Sequence, residues 1–235
     1  MRKAFLTLCF TWATLFSAPA QDFSYPSIWF TNINTFTLDG NWGGWTELHA
    51  RFASNNNQMR WAQFLVRPAI SYQVNGMITV SGGMTYLRNH NYTAPSDMAS
   101  FAPEWNLWEQ VQFQHQLGAF SFTHFYRWEH RFSGQLNTAA EQNFTYANRL
   151  RTRFIGQYDA ELNEKPLQFI AFHELFFLMD LSPVQLHQQW TYLGARRPLN
   201  FGPWAIEAGY LNQWIKRGNL IEWNPTFLLT VRAGF

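Results

Sequence analysis

Six charged side chains recur at every second position in two nearby stretches of the chain. Arg127, Glu129 and Arg131 lie in FSFTHFYRWEHRF, and Arg149, Arg151 and Arg153 lie in ANRLRTRF. A guanidinium presents a planar fork of N–H donors that matches carboxylate or phosphate geometry, so the chemistry on offer is anion recognition. Glu129, on the same face, competes as an internal partner.

These residues must be positioned by strands. Phe122, His124, Tyr126, Trp128, His130 and Phe132 alternate with Thr123, Phe125, Arg127, Glu129 and Arg131. In the second stretch Leu150, Thr152 and Phe154 alternate with the arginines. Successive side chains of a strand point to opposite faces, so each stretch has one apolar and one charged face. A soluble sheet would bury the apolar face in a core. A membrane barrel would turn it to lipid and the charged face to a lumen.

Composition separates these two cases. Residues 1–20 read as a secretory signal: Arg2 and Lys3 precede an apolar stretch from Ala4 to Phe16, and Ala18-Pro19-Ala20 forms a small-residue cleavage site. Its removal takes two of the 17 basic residues, leaving 15 against 15 acidic ones, so the charge balance gives no reason to expect a nucleic-acid partner. Cys9 leaves with it, so no disulfide holds the mature chain. Charged residues make up only 14% of the sequence, against roughly 25% in soluble domains, while aromatics reach 19%. The longest apolar run after the signal, Leu175 to Met179, is far below the ~20 residues of a spanning helix. Many aromatics, few charges and no hydrophobic helix fit a transmembrane β-barrel, whose strands need only about 9–11 alternating residues.

Alternation yields eleven strands over 28–38, 44–52, 60–73, 77–88, 105–117, the two central stretches, 167–180, 185–197, 204–216 and 223–235. Asn75-Gly76 is the strongest hairpin signal. Pro68 falls inside a strand, where a missing donor predicts a bulge. The connections sort by length. Those at 39–42, 74–76, 118, 160–166 and 198–203 are mostly short, whereas 89–103 and 133–146 are long and share a rim with 54–58, 181–184 and 217–222. This is the layout of an outer-membrane barrel, with short periplasmic turns and longer outer loops. Bacterial single-chain barrels have even strand numbers, so eleven implies a missed N-terminal strand or a wrongly split one, within a range of ten to twelve. The expected fold is all-β: one antiparallel barrel over residues 21–235.

The last strand places Phe227, Leu229, Val231, Ala233 and Phe235 on one face. An amphipathic strand ending in Phe resembles the signal read by the barrel assembly machinery of Gram-negative bacteria, with Phe235 as the recognised residue. The early Trp strand, the hairpins of short turn and long loop, Arg127-Trp128-Glu129-His130-Arg131-Phe132 and the later Arg149-Leu150-Arg151 together resemble an uncharacterised Bacteroidota barrel family, domain of unknown function 2490. The likeness runs from about Trp29 to Phe235, with Phe125 standing where that pattern implies a further Arg. It implies an outer-membrane barrel in contact with lipid, and no established activity.

A simple hairpin would set Glu129 near Arg151, Arg131 near Arg149 and Arg127 near Arg153. Like charges facing each other destabilise a sheet, so carboxylates must come from elsewhere. Glu174 is well placed on the next strand, and Glu47 and Glu207 also face inward by alternation. The bland reading is a salt-bridged lumen that fills and stiffens the barrel. The sharper one counts five arginines against Glu129 and Glu174 and expects a small anionic solute.

The histidines show no metal-ligand spacing, and nothing in the sequence calls for a cofactor. His124 and His130 read as part of an interfacial aromatic girdle. An alternative function, lipid hydrolysis or acyl transfer at the outer rim, would use His90, Ser96 and Asp97 of the long loop, although no nucleophile motif surrounds Ser96. A soluble periplasmic sandwich or lipocalin-like binder is the remaining alternative.

Overall fold

The computed structural model describes residues 23–91, 101–135 and 143–235. The expected signal sequence, Ser96 and Asp97 lie outside these. In chain order the strands are β1 (Phe23–Ser24), β2 (Ser27–Thr37), β3 (Trp42–Asn55), β4 (Gln58–Gln73), β5 (Ile78–Asn89) and β6 (Ala102–Leu117). There follow β7 (Phe120–Gly134), β8 (Phe144–Leu162), β9 (Lys165–Leu178), β10 (Gln185–Pro198), β11 (Trp204–Arg217) and β12 (Leu220–Gly234). From β2 to β12 each strand pairs antiparallel with the next, and β12 then pairs with β2 to close the ring. The closed ring excludes a two-sheet sandwich.

The seam between β2 and β12 is parallel, running from Ser27 opposite Thr226 to Thr35 opposite Gly234. A meander reverses direction at every step, so with eleven strands the first and last run the same way, and closure without a crossover can only be parallel. The ring therefore has the eleven strands expected, and the one strand missed near the N-terminus, β1, adds nothing to that count. The short β1 continues β2 along the same edge, with Phe23 opposite Glu222. Pro26 has no N–H to give to the ladder, and the Tyr25 N–H donates instead to Asn224 Oδ1 at 3.0 Å.

One local expectation is corrected and another is met by its own device. Pro68 makes no bulge: it is exposed on the outer wall, and β4–β5 keep one register across it, from Val66 opposite Tyr86 to Ala69 opposite Gly83. The irregularities fall at Ala62, skipped between Gln63 and Trp61 in the β3–β4 ladder, and at His187 in the β9–β10 ladder. Asn75-Gly76 does lie in a hairpin turn, but by a different device, since Asn75 Oδ1 accepts from the Met77 and Ile78 N–H groups at 2.8 and 2.9 Å. The two-residue turns with left-handed backbone are Asn56-Asn57 and Asn163-Glu164.

The rims are sorted by length only in part. Residues 90–101 and 135–143 form long connections on one rim, yet two-residue turns at 56–57 and 218–219 share it. Phe235 ends the chain on the opposite rim. Its backbone is tied to Thr35 and Thr37 while its ring is two-thirds exposed, edge-on to Trp204.

Every strand of the ring places a large apolar side chain on the outer wall. Phe30, Leu48, Ile70, Met84, Leu107, Tyr126, Phe154, Phe169, Leu193, Tyr210 and Phe227 represent β2 to β12 in turn, each between 41% and 63% exposed. The interior is the reverse, with Glu129, Arg151, Glu174, Glu207 and Thr230 all buried. Among the described residues no helix is long and apolar enough to cross a membrane.

Candidate functional site: an arginine-lined cavity

The inward faces of β7, β8 and β9 carry the charge ladder. Register sets Arg127 opposite Arg151, Glu129 opposite Arg149, and Phe125 opposite Arg153. This is two residues away from the expected alignment, so Arg131 meets Ala147 rather than Arg149, and its guanidinium turns to Glu104 on β6 at 2.9 Å. Glu129 still reaches Arg151 by a diagonal contact of 2.8 Å, and it also holds Arg149 at 2.5 Å. Glu174 binds Arg151 at 2.7 Å and Arg153 at 2.6 Å. The result is one alternating chain, Arg149–Glu129–Arg151–Glu174–Arg153. Charges this deep are costly unless paired and hydrogen-bonded, which the chain achieves for three arginines with two carboxylates.

Smaller networks complete the wall. Glu47 bonds Arg67 at 2.7 Å and His49 at 3.1 Å, Glu207 bonds Arg196 and Arg232 at 2.8 Å each, and Glu222 bonds Arg217 at 2.9 Å. By sequence reasoning Glu222 fell in a loop and Glu104 just ahead of its strand, outside both loop and strand. Both continue the period-two pattern of their strands by one step, which was the available signal.

Arg127 and Arg51 stand apart. Arg127 Nε donates to Gln110 Oε1 at 2.9 Å, and its guanidinium lies 4.1 Å over the Trp108 ring. Arg51 Nη1 donates to Gln63 Oε1 at 2.5 Å, with its guanidinium 3.8 Å over Trp29. Neither touches a carboxylate among the described residues. Phe125 packs beneath Arg127 and Arg153, with their guanidinium carbons 5.3 and 5.2 Å from its ring centre.

These groups surround a cavity of about 520 Å³, lined by nine arginines and four glutamates and reaching Asn89, His90, His187 and Arg217 at the long-loop rim. Beside it the interior holds two apolar groups. Trp45 and Trp108 pack at 5.8 Å, with Phe125 buried under Arg127, and Ile170 and Tyr192 are buried in a cluster with Trp29 and Leu211. Glycine lets these rings lie flat against the wall: a Cβ on Gly83 would come within 2.5 Å of Trp108, and one on Gly209 within 2.6 Å of the Tyr192 ring. Trp108 Nε1 donates to Thr85 at 3.2 Å and the Tyr192 hydroxyl to Glu207 at 3.0 Å, so both groups are also hydrogen-bonded in place. Along β2, β11 and β12 the cavity reaches lower, to Ile33, Glu207 and Arg232.

The sequence of residues 27–224 matches the family described as Protein of unknown function (DUF2490). The chain belongs to that family. No curated protein matches it. Membership in DUF2490 covers most of the barrel, including the charge ladder and both unpaired arginines, but brings no activity with it.

The histidines distribute as follows. His124 stacks on Phe113 at 5.1 Å on the outer wall, and His130 shares a 2.8 Å hydrogen bond with the Tyr146 hydroxyl. Near that rim Asp180 accepts from the Asn148 side chain at 2.8 Å and from its backbone N–H, which holds its carboxyl below the usual range. His90 packs against Trp61 and Phe101 and lines the cavity. Among the described residues no group of His, Cys, Asp and Glu is arranged to hold a metal.

Proposed function

We propose that the protein is a barrel of the Gram-negative outer membrane, exported by an N-terminal signal, whose interior is a blind, arginine-lined vestibule rather than a diffusion pore. The inversion of the wall supports the location. An apolar belt to which all eleven strands contribute far exceeds the few hundred Å² of contiguous apolar surface a soluble monomer exposes. It matches the band a membrane barrel turns to lipid. Insertion through the assembly machinery, read from the Phe235 strand, belongs to the same proposal.

The floor carries the vestibule reading. We read the two apolar groups, Trp45 with Trp108 and Phe125, and Ile170 with Tyr192, as closing the interior below the polar cavity, which leaves a binding compartment facing the long-loop rim. The test is single-channel recording of folded protein in a planar bilayer under a salt gradient. Folded protein should give no steps, or only rare small ones. Steady, wide conductance would overturn the vestibule, and full extraction from outer membranes by carbonate without detergent would overturn the location.

A further inference from the structure

We propose that the vestibule contains a dedicated site for a small multivalent oxyanion, of the phosphate or polycarboxylate class, seated between Arg51 of β3 and Arg127 of β7. The inference deepens the vestibule reading and rests on it. It begins with charge. Nine arginines line the cavity; the carboxylates available to them are Glu47, Glu104, Glu207 and Glu222 on its surface and Glu129 and Glu174 in the ladder behind. Seven of those arginines contact a carboxylate, and Arg51 and Arg127 do not. Both also lie within the fields of Arg67 and Arg151, repulsions that the more distant Glu47, with Glu174 for Arg51 and Glu129 for Arg127, offset only in part. A buried charge left this way is unfavourable until a counter-charge arrives.

The two side chains are nonetheless held firmly. Gln63 and Gln110 accept from them, and the Trp29 and Trp108 rings support their guanidinium planes. These partners orient the forks without neutralising them, which is preorganisation for a ligand rather than internal satisfaction. Arg51 Nε and Arg127 Nη1 are buried with no hydrogen-bond partner. The cavity contains no lysine, so its permanent cations are all planar forks, a chemistry that favours multidentate oxyanions over halides. Its volume of about 520 Å³ falls in the range of small-molecule sites and is too small for a macromolecule.

The test is isothermal titration of the folded, detergent-solubilised barrel with inorganic phosphate and with citrate, at constant ionic strength in chloride. Saturable binding of at least one is expected. Arg51→Gln and Arg127→Gln should each weaken it by about tenfold or more, the loss of one charge-assisted hydrogen bond. Arg197→Gln, which removes an exposed arginine on the outer wall opposite Ile206, should leave it nearly unchanged. Heat-modifiable gel mobility checks that each variant folds. Thermal melting supplies the readout a merely structural arginine would not give: without phosphate, Arg127→Gln should melt at or above the wild-type midpoint, yet lose the upward shift phosphate produces. No saturable binding by folded wild type, undiminished binding in both glutamine variants, or equal competition by chloride would overturn the site. Conductance reports on the floor alone, so an open pore that binds phosphate would sink the vestibule and keep the site, and a silent barrel that binds nothing would do the reverse.

Discussion

Arg127 and Arg151 face each other directly across β7 and β8, two like charges at a register position where opposite charges would be favoured. The conflict is resolved by sending them different ways. Arg151 turns toward β9 and is gripped by Glu129 and Glu174, while Arg127 turns toward β6 and lies on Trp108. One of the pair is a structural keystone and the other is left available.

Arg151→Met should therefore be costly. It strips one partner each from Glu129 and Glu174, both almost wholly buried. Removing one member of a buried ionic network costs about 3–5 kcal/mol, and the remaining contacts to Arg149 and Arg153 place this variant near the lower end. Urea unfolding of the barrel in lipid measures it, and a loss of under about 1 kcal/mol would remove Arg151 from the keystone role.

The floor makes a separate prediction. Trp108→Ala combined with Tyr192→Ala removes one large ring from each of the two apolar groups read as closing the interior. The double variant should convert a silent protein into one with discrete conductance steps. Because nine arginines line the cavity against six glutamates on its surface and in the ladder among the described residues, those steps should favour anions. A folded double variant as silent as wild type would mean that the interior is closed elsewhere.

Gly209 tests the fit between the Tyr192 ring and the wall. A methyl there would sit 2.4 Å from the Leu193 carbonyl oxygen and 2.6 Å from the Tyr192 ring. The oxygen belongs to the strand ladder and cannot move cheaply, so Gly209→Ala should destabilise by about 1–3 kcal/mol, the usual range for overpacking. Gly218→Ala, at a turn where nothing lies within 4 Å, adds only the strain of a φ near +63° and should cost less. The difference in denaturant midpoint between the two variants is the measurement, and equal losses would show that the ring does not rest on Gly209.

Much of this architecture was legible because period-two alternation is a strong signal in a strand with one apolar and one charged face. Arg127, Glu129, Arg151 and Glu174 could be assigned to one side from sequence alone. Which of them touch could not. Register across β7 and β8 depends on the connection at 135–143, and an offset of two residues keeps every face correct while changing every partner. The floor was hidden for another reason. Trp45 of β3 meets Trp108 of β6, and Tyr192 of β10 clusters with Trp29 of β2, contacts that only the curved, closed sheet brings about. The unpaired state of Arg51 and Arg127 follows from the same closure, since it is defined by which carboxylates fail to reach them.

The parallel seam is the feature that the even-number rule argued against, and it can be tested directly. With no cysteine expected in the mature chain, a pair introduced at Phe30 and Leu229 reports on one contact alone. These residues are register partners across β2 and β12, both on the outer wall. Parallel pairing brings their Cα atoms close to the 4.4–6.8 Å that a disulfide spans. Oxidation of the folded Phe30→Cys/Leu229→Cys variant should give a bond in high yield, seen as altered gel mobility that reverses with reductant. A control pair at Phe30 and Thr226, three residues farther along β12, should not form one. If the control cross-links as well as the register pair, or if neither does, β2 and β12 are not joined in this register and the eleven-strand closure fails.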